Sequence, residues 1–295
     1  MKKSTKVTLW IKLSIPLFFT LFITSFLKAQ EYGDYTNDGY NHKSVRPVHE
    51  SHIDYQKSLW YRISLRETQN RPFFAEKNEI TKLIIDAVKL GIVTPYQNDS
   101  LRNHMSREQF LSNIHLHESE LNLTEEQIFG CWGGFLDKDL ENDDNTWGTE
   151  LDSSSSDEYY ANQFYILETK TNQFFDKNRS RMINDIQTIS IILPAEMNPA
   201  TGLETTIATF SYKELVQSLF RNNSSAIYYN QRNNQAHRNL EEAFDLMLTN
   251  GRLIKYQNAD DDYIMDIYEN YNQTLLVAQN YEATMLEYES NLWEN

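Results

Sequence analysis

The sequence predicts an α+β fold with two related helix–strand units, an N-terminal arm and a C-terminal helix. One observation is a run of apolar residues at helical spacing, which indicates an amphipathic helix over 79–90. Another is the β-branched and aromatic content of 164–169 and 186–193, which indicates two strands joined by a turn near Asp176. A third is the recurrence of the helix–glycine–strand pattern about 160 residues later, which favours an internal duplication.

The individual elements follow from local signals. Gly91 directly follows the first helix, where a left-handed C-terminal cap is common, and Ile92-Val93 reads as a short strand. Ser106 is an N-cap for a second helix that ends at Ile114. Residues 58–67 read as a strand or short helix followed by a turn, and residues 240–248 as a third amphipathic helix that precedes Gly251.

The duplication is predicted from paired positions at a constant separation of 160. Gly91 pairs with Gly251, and the Tyr-Gln-Asn triplet that begins at Tyr96 pairs with the one that begins at Tyr256. Five apolar helix positions match as well, and they are Ile80, Leu83, Ile84, Ala87 and Val88 with Leu240, Ala243, Phe244, Met247 and Leu248. The alternative is chance similarity of two short segments.

Composition and the N-terminus limit the class of protein. The 295 residues are 40% hydrophobic, which excludes a disordered chain, and the formal charge of −15 argues against binding to nucleic acid. Lysines precede an apolar run from Leu9 to Leu27, and Ala29 suits signal peptidase. The run predicts a secretory signal peptide rather than a membrane anchor, because its uninterrupted part is shorter than about 20 residues.

The domain boundaries are predicted from composition shifts. They are a signal peptide over 1–29, an extended arm over 30–50, a first α+β unit over 51–135, an acidic Ser-rich loop over 136–160, a second α+β unit over 161–262 and a C-terminal helix over 263–295. The C-terminal helix packs on its own domain in one interpretation and docks on a partner subunit in the other.

Catalytic and metal motifs are scarce. His49-Glu50-Ser51-His52 and His115-Leu116-His117 lack the spacing of zinc proteases, and the acidic run that begins at Asp137 lacks the glycine and glutamate of a calcium loop. Cys131 lies in an apolar stretch, where a buried thiol is expected and a nucleophile is the alternative. We expect no metal and no cofactor, although carboxylates are plentiful enough for an acid/base hydrolase.

Three segments resemble, in order, motifs of the GldN/PorN family of gliding-motility and type IX secretion proteins of Bacteroidetes. The first runs from Trp60 to Asn70 (WYRISLRETQN) and is followed by Phe73-Phe74. The second runs from Phe174 to Met182 (FFDKNRSRM), and the third begins at Tyr229 (YNQRNN) and leads into the helix at Leu240. Residues 206–210 and 249–251 depart from the family pattern.

The resemblance implies a non-enzymatic periplasmic protein that forms a ring. The implied partners are an outer-membrane lipoprotein of the GldK/PorK type, further copies of the chain and a GldL/GldM-like motor complex. The candidate interaction residues are Trp60, Arg62, Arg66, Glu67, Asp176, Lys177 and Arg179. Arg62, Arg66 and Glu67 are expected to form a buried or interfacial ion-pair network, and the alternative is a solvated surface. A periplasmic ligand- or peptide-binding module and an exported carboxylate-dependent hydrolase are the alternatives.

Overall fold

A computed structural model describes residues 38–115, 158–198, 202–221, 223–233, 235–268 and 270–294. Within these ranges the predicted α+β class is confirmed. The signal peptide, Cys131, His117 and the acidic loop before residue 158 lie outside the described residues, so these predictions are not tested.

The described strands are β1 (Ile53–Ser64), β2 (Phe74–Ala75), β3 (Asn78–Glu79), β4 (Ile166–Asp176), β5 (Arg181–Leu193), β6 (Thr205–Ser211), β7 (Ile227–Tyr228), β8 (Arg238–Asn239) and β9 (Arg252–Tyr256). The described α-helices are α1 (Ile80–Lys89), α2 (Arg107–Ile114), α3 (Tyr212–Leu215, continued by a π-helical turn over Val216–Phe220), α4 (Leu240–Asp245), α5 (Ile264–Ile267) and α6 (Tyr271–Glu294).

A five-stranded antiparallel sheet organises the molecule, with strand order β6-β5-β4-β1-β9. β4 and β5 form the predicted hairpin and are longer than the sequence indicated, and the region around residue 58 belongs to the strand β1. The predicted boundaries at 51–135 and 161–262 stay a prediction, but the two units do not have separate sheets, since β1 lies between β4 and β9.

The main hydrophobic core covers one face of this sheet. Side chains of paired strand residues point to the same face, and Ile63, Leu167 and Ile191 are directly opposite one another in neighbouring strands. They are buried together with apolar residues of α1, α3 and α4, among them Ile84, Leu215 and Phe244. The core therefore draws on both predicted units.

The two predicted N-terminal helices are confirmed at their ends. The left-handed cap after α1 is Gly91, with φ of +73°, and the N–H groups of Gly91 and Ile92 donate to the carbonyls of Val88 and Ala87. Ser106 and Gln109 form a reciprocal capping box at the start of α2. The predicted strand at Ile92-Val93 is wrong, because these residues form a turn that follows the cap.

The duplicated pattern is matched at its start and differs at its end. A hairpin whose strands are two residues long precedes each helix, and β3 and β8 are separated by the same 160 residues as Ile80 and Leu240. The expected equivalence of Gly91 and Gly251 is wrong, because the left-handed residue after α4 is Met247, with φ of +51°. The duplication itself stays a prediction.

The repeated Tyr-Gln-Asn triplets lie at opposite edges of the central sheet. Tyr96 forms two backbone hydrogen bonds with Thr209 of β6, at 2.8 and 2.9 Å. Tyr256 is the last residue of β9 and is paired with Leu59 of β1. Each triplet therefore begins with a tyrosine that closes one side of the sheet.

The described part of the arm is folded rather than extended. Residues 38–50 form a series of turns that a bridge between Tyr40 and His49 closes. The arm is tied to the domain by Arg46, which forms an ion pair with Asp245 at 2.6 Å, and by Asn41, whose amide donates to Gln187. The sequence of the arm has no helical or strand periodicity because its residues make these contacts from turns.

The C-terminal segment is two helices that pack on the chain's own sheet. The single helix predicted for 263–295 is interrupted between α5 and α6. Ile264 and Ala278 are buried against Leu59 and Leu253, and the ring of Tyr281 is stacked on Tyr256 with centroids 5.3 Å apart. These contacts support the first of the two interpretations. Over the residues that the structure describes, we find no helix with the length and apolarity that a membrane span requires.

Candidate functional site

The predicted interaction residues are distributed along the β1–β4 ladder. Arg66 and Glu67 follow the end of β1, whereas Asp176, Lys177 and Arg179 belong to the β4–β5 turn, beside the beginning of β1. The ladder has eleven steps from residue 53 to residue 64, or about 37 Å at roughly 3.4 Å per step. The seven residues therefore lie at several places along the ladder and do not form one site.

Trp60 is a structural anchor in the middle of the ladder. Its side chain is 8% exposed, and its indole N–H donates to Asp99 Oδ2 at 3.0 Å. The ammonium groups of Lys170 and Lys255 lie 5.2 and 4.8 Å from the ring, a distance suited to cation–π attraction. With these contacts satisfied inside the chain, Trp60 holds the loop of Asp99 against the sheet.

Arg62 lines a cleft of about 390 Å³, the Arg62 cleft, between the sheet and the C-terminal helices. Its guanidinium forms an ion pair with Glu204, while its buried Nε has no partner among the described residues. Glu168, opposite Arg62 on β4, lines the same cleft, and burial raises its pKa above the usual value. Exposed apolar side chains of Met265 and Tyr271 complete the rim.

Arg62, Arg66 and Glu67 form no ion pairs with one another in the described part of the chain, and an interfacial network stays a prediction. Arg66 is exposed, and its guanidinium lies 3.8 Å from the centre of the Tyr165 ring. Glu67 is also exposed and accepts a long 3.5 Å hydrogen bond from the Asn250 amide. The Leu-Arg-Glu motif therefore ends in two exposed charges that are held only by weak contacts.

The second motif forms the predicted tight turn. Asp176 is 2% exposed, and its carboxylate accepts a hydrogen bond from the Asn178 N–H at 2.9 Å. Lys177 pairs with Asp54 at 2.8 Å, and Arg179 lies 3.6 Å from Asp176. Asp176 shapes the turn, whereas the side chains of Lys177 and Arg179 are half exposed and available to a partner.

A second groove, of about 440 Å³, was not predicted from any motif, and we call it the β5-edge groove. It follows β5 from Arg181 to Ile186. The arm lies on one side, and the start of α3 and the end of α4 lie on the other. Its lining residues are Val45, Arg46, Val48, Phe174, Arg179, Arg181, Met182, Ile183, Asn184, Asp185, Ile186, Tyr212, Phe244, Asp245 and Met247. One signal was available in the sequence, since Asp185 is the single acidic residue of β5.

Two carboxyl groups of the β5-edge groove have altered acidity. Burial raises the pKa of Asp185 to about 6, against the opposing hydrogen bonds from Ser44 and Gln187. Burial also raises the pKa of Asp245, although the ion pair with Arg46 counteracts this effect. Both carboxyls are bound to other side chains, Asp185 to Ser44 and Gln187 and Asp245 to Arg46, so neither is a free base.

The predicted absence of a metal site and a cofactor is not decided by these residues. Within the described ranges, no three His, Cys, Asp or Glu side chains lie close enough to hold a metal ion. His49 is paired with the Ser51 hydroxyl at 2.7 Å, and His115 lies 3.9 Å from Glu158.

The fold is that of an α+β protein with two open cavities beside its central sheet, the Arg62 cleft and the β5-edge groove. Residues 48–294 match the family described as gliding motility associated protein GldN, and the chain belongs to that family. The match extends beyond both ends of the region in which the three motifs occur. No curated protein is significantly similar to the chain.

Proposed function

We propose that the chain is a non-enzymatic ring subunit of the gliding-motility and type IX secretion machinery. It is exported to the periplasm and assembles with copies of itself and with a GldK/PorK-like outer-membrane lipoprotein. A GldL/GldM-like motor complex engages the assembled ring. The observation that carries this proposal is the family match over residues 48–294.

The distribution of exposed charges supports a role in assembly. A ring that grows by a repeated head-to-tail contact needs two different surfaces on each subunit. Arg66 and Glu67 are exposed at one end of the β1–β4 ladder, and Lys177 and Arg179 at the other. We assign one surface to each end, and we call them the Arg66 end and the Lys177 end.

Two charge-reversed variants test the assignment. The first is Arg66→Glu with Glu67→Lys, and the second is Lys177→Glu with Arg179→Glu. Each protein is purified from the envelope with its lipoprotein partner and imaged by electron microscopy. Either variant alone should leave no complete rings, whereas Lys82→Glu, at an exposed position on α1, should assemble as the unaltered protein does.

Co-expression makes the test specific to a head-to-tail contact. A chain with only the Lys177 end intact can bind one with only the Arg66 end intact, and the pair cannot grow further. We therefore expect two-subunit complexes and no rings from the mixture. Complete rings from either variant alone would refute the assignment of the two ends.

The β5-edge groove is the observation that favours a peptide-binding module as the second candidate. The two candidates differ in assembly state, because a binding module would be recovered as a lone monomer that titrates a ligand. A hydrolase would instead turn over a glycan or peptide substrate and lose this activity in Asp185→Asn.

A further inference from the structure

The N-terminal half of β5 has a free edge. β6 pairs with β5 only from Thr188 to Leu193, so residues 181–187 have a strand partner on one side, where β4 lies. The N–H of Met182 points away from β4 and already donates to the Glu289 carboxylate at 3.2 Å, so this one amide is closed to an added strand. Because strand amides alternate in direction, Asn184 and Ile186 also direct their backbone groups away from β4.

The β5-edge groove lies directly beside this free edge. Side chains of both sheet faces line it, since Asp185 and Ile186 are neighbours on the strand and both contribute. Val45 and Val48 of the arm form one wall, and Phe244 forms part of the other. Five steps along β5 give a length of about 17 Å, which is suited to an extended peptide.

One buried polar group in the groove has no partner. Tyr212 is 3% exposed and lines the groove, and its hydroxyl has no hydrogen bond to any residue that the structure describes. Buried hydroxyls are normally paired, and a peptide backbone could supply the missing partner. The unpaired hydroxyl therefore supports a bound ligand, and this evidence is independent of the evidence from the strand edge.

The charges at the rim indicate which peptide fits. Arg46, Arg179 and Arg181 surround the groove, although the whole chain has a formal charge of −15. Arg46 is paired with Asp245, and Arg179 is 3.6 Å from Asp176. Arg181 is exposed and has no carboxylate partner among the described side chains, so it is placed to bind a carboxylate from outside.

We propose that the β5-edge groove binds an extended acidic segment of a partner protein, which is added to the sheet as a strand beside β5. Its acidic side chains pair with Arg181 and Arg179, and its apolar side chains contact Phe244 and Phe174. This proposal rests on the proposed function, because it names one contact surface of an assembling subunit. The binding is measured on the isolated chain, so it can fail while ring assembly is upheld.

A fluorescein-labelled octapeptide that alternates Val or Phe with Asp or Glu is the probe. Fluorescence anisotropy with the mature chain should give saturable binding. Two matched peptides are the controls, one with Lys in place of the acidic residues and one with Pro at alternate positions. Both should bind at least about tenfold more weakly, because the first loses the charged pairs and the second loses the backbone donors.

Two variants of the chain locate the binding. Arg181→Glu should lower the affinity for the acidic peptide by about tenfold or more. Arg232→Glu makes the same charge change outside the groove and should leave this affinity unchanged. Tyr212→Phe should weaken binding severalfold with no loss in thermal unfolding temperature, since the lost hydroxyl bonds only to the peptide.

Several results would overturn the proposal. One is the absence of saturable binding, and another is equal affinity for the acidic and the proline-containing peptides. Undiminished binding to Arg181→Glu would place the peptide elsewhere. If dimers form at higher concentration and Arg181→Glu abolishes them, the groove is occupied by a second copy of the chain instead.

Discussion

The two hairpin–helix segments of this chain begin alike and end differently. α1 follows the hairpin of β2 and β3, and α4 follows that of β7 and β8. The strands β3 and β8 are 160 residues apart, and so are the first residues of the two helices. The left-handed caps are Gly91 and Met247, which are only 156 residues apart. The second helix is thus shorter by four residues, which is about one turn.

This difference changes the role of the glycine that the sequences share. Gly91 ends α1 with a positive φ, as its lack of a side chain permits. Gly251 has another role, because a Cβ there would lie 2.9 Å from Ile63 Cγ1 and 3.2 Å from Tyr61 Cβ. The two glycines that are 160 residues apart therefore have different roles. Gly91 caps a helix, and Gly251 allows the chain to approach β1 closely.

The largest changes in stability are expected at two buried helix positions, Ile84 in α1 and Phe244 in α4. Both are buried in the main core, and the ring of Phe244 contacts the rings of Phe73, Tyr212 and Phe220. Phe244→Ala should lower the free energy of unfolding by about 3–5 kcal/mol, because it removes a large ring and leaves a cavity. Urea denaturation measures this.

Ile84→Ala should lower the free energy of unfolding by about 2–5 kcal/mol. Leu90→Ala, at a position 74% exposed, is the control and should change it by less than about 0.5 kcal/mol. If Phe244→Ala lowers the free energy of unfolding no more than Leu90→Ala does, then α4 does not contribute to the core as α1 does.

The next effect concerns pH and is confined to the surroundings of α4. Because burial raises the pKa of Asp185 to about 6, the folded state binds a proton that the unfolded state has released. Stability should therefore fall as the pH rises from about 4 to about 6, by up to about 3 kcal/mol from this residue.

Denaturation at a series of pH values measures this dependence. Asp185→Asn should remove the loss of stability between about pH 4 and 6, because the amide cannot ionise. Asp86→Asn, an exposed position on α1, should retain the same loss. Identical pH profiles for Asp185→Asn and the unaltered protein would show that another group is responsible.

Gly251→Val should lower stability by about 1–3 kcal/mol, since the added side chain overlaps Ile63 and Tyr61. The matched change is Gly202→Val, because nothing lies within 4 Å of a Cβ there, although its positive φ of +62° adds some strain. Thermal unfolding compares the two. A smaller effect at Gly251 than at Gly202 would contradict the close approach to β1.

The sequence allowed prediction of those elements whose signals are local. The periodicity before Gly91, the Ser106 cap and the turn at Asp176 each depend on a few adjacent residues. The position of β1 between β4 and β9 depends on pairing over more than 100 residues, and no local pattern encodes it. The same holds for the candidate site.

Arg62, Arg66 and Glu67 are close in sequence, but strand geometry directs them to different neighbours. The β5-edge groove was not predicted because the arm, β5, α3 and α4 meet there only in the folded chain. The most distinctive group in this groove is the Tyr212 hydroxyl, because it has no hydrogen-bond partner among the described residues. Only the folded structure shows this.

The smallest effects test the two caps directly, and they should have opposite signs. Gly91→Ala places a Cβ on a residue with φ of +73° and should lower stability by about 1 kcal/mol. Met247→Gly relieves the same strain at φ of +51°, and this gain exceeds the added freedom of the unfolded chain. It should therefore raise stability by about 0.5 kcal/mol.

Both caps have the same pair of hydrogen bonds. The N–H groups of Met247 and Leu248 donate to the carbonyls of Phe244 and Ala243 at 2.9 and 3.0 Å, as in the cap of α1. The two variants therefore change the left-handed residue within the same hydrogen-bond pattern, and thermal unfolding in one buffer compares them. If Met247→Gly destabilises the chain, the side chain of Met247 contributes more in the β5-edge groove than its backbone strain removes.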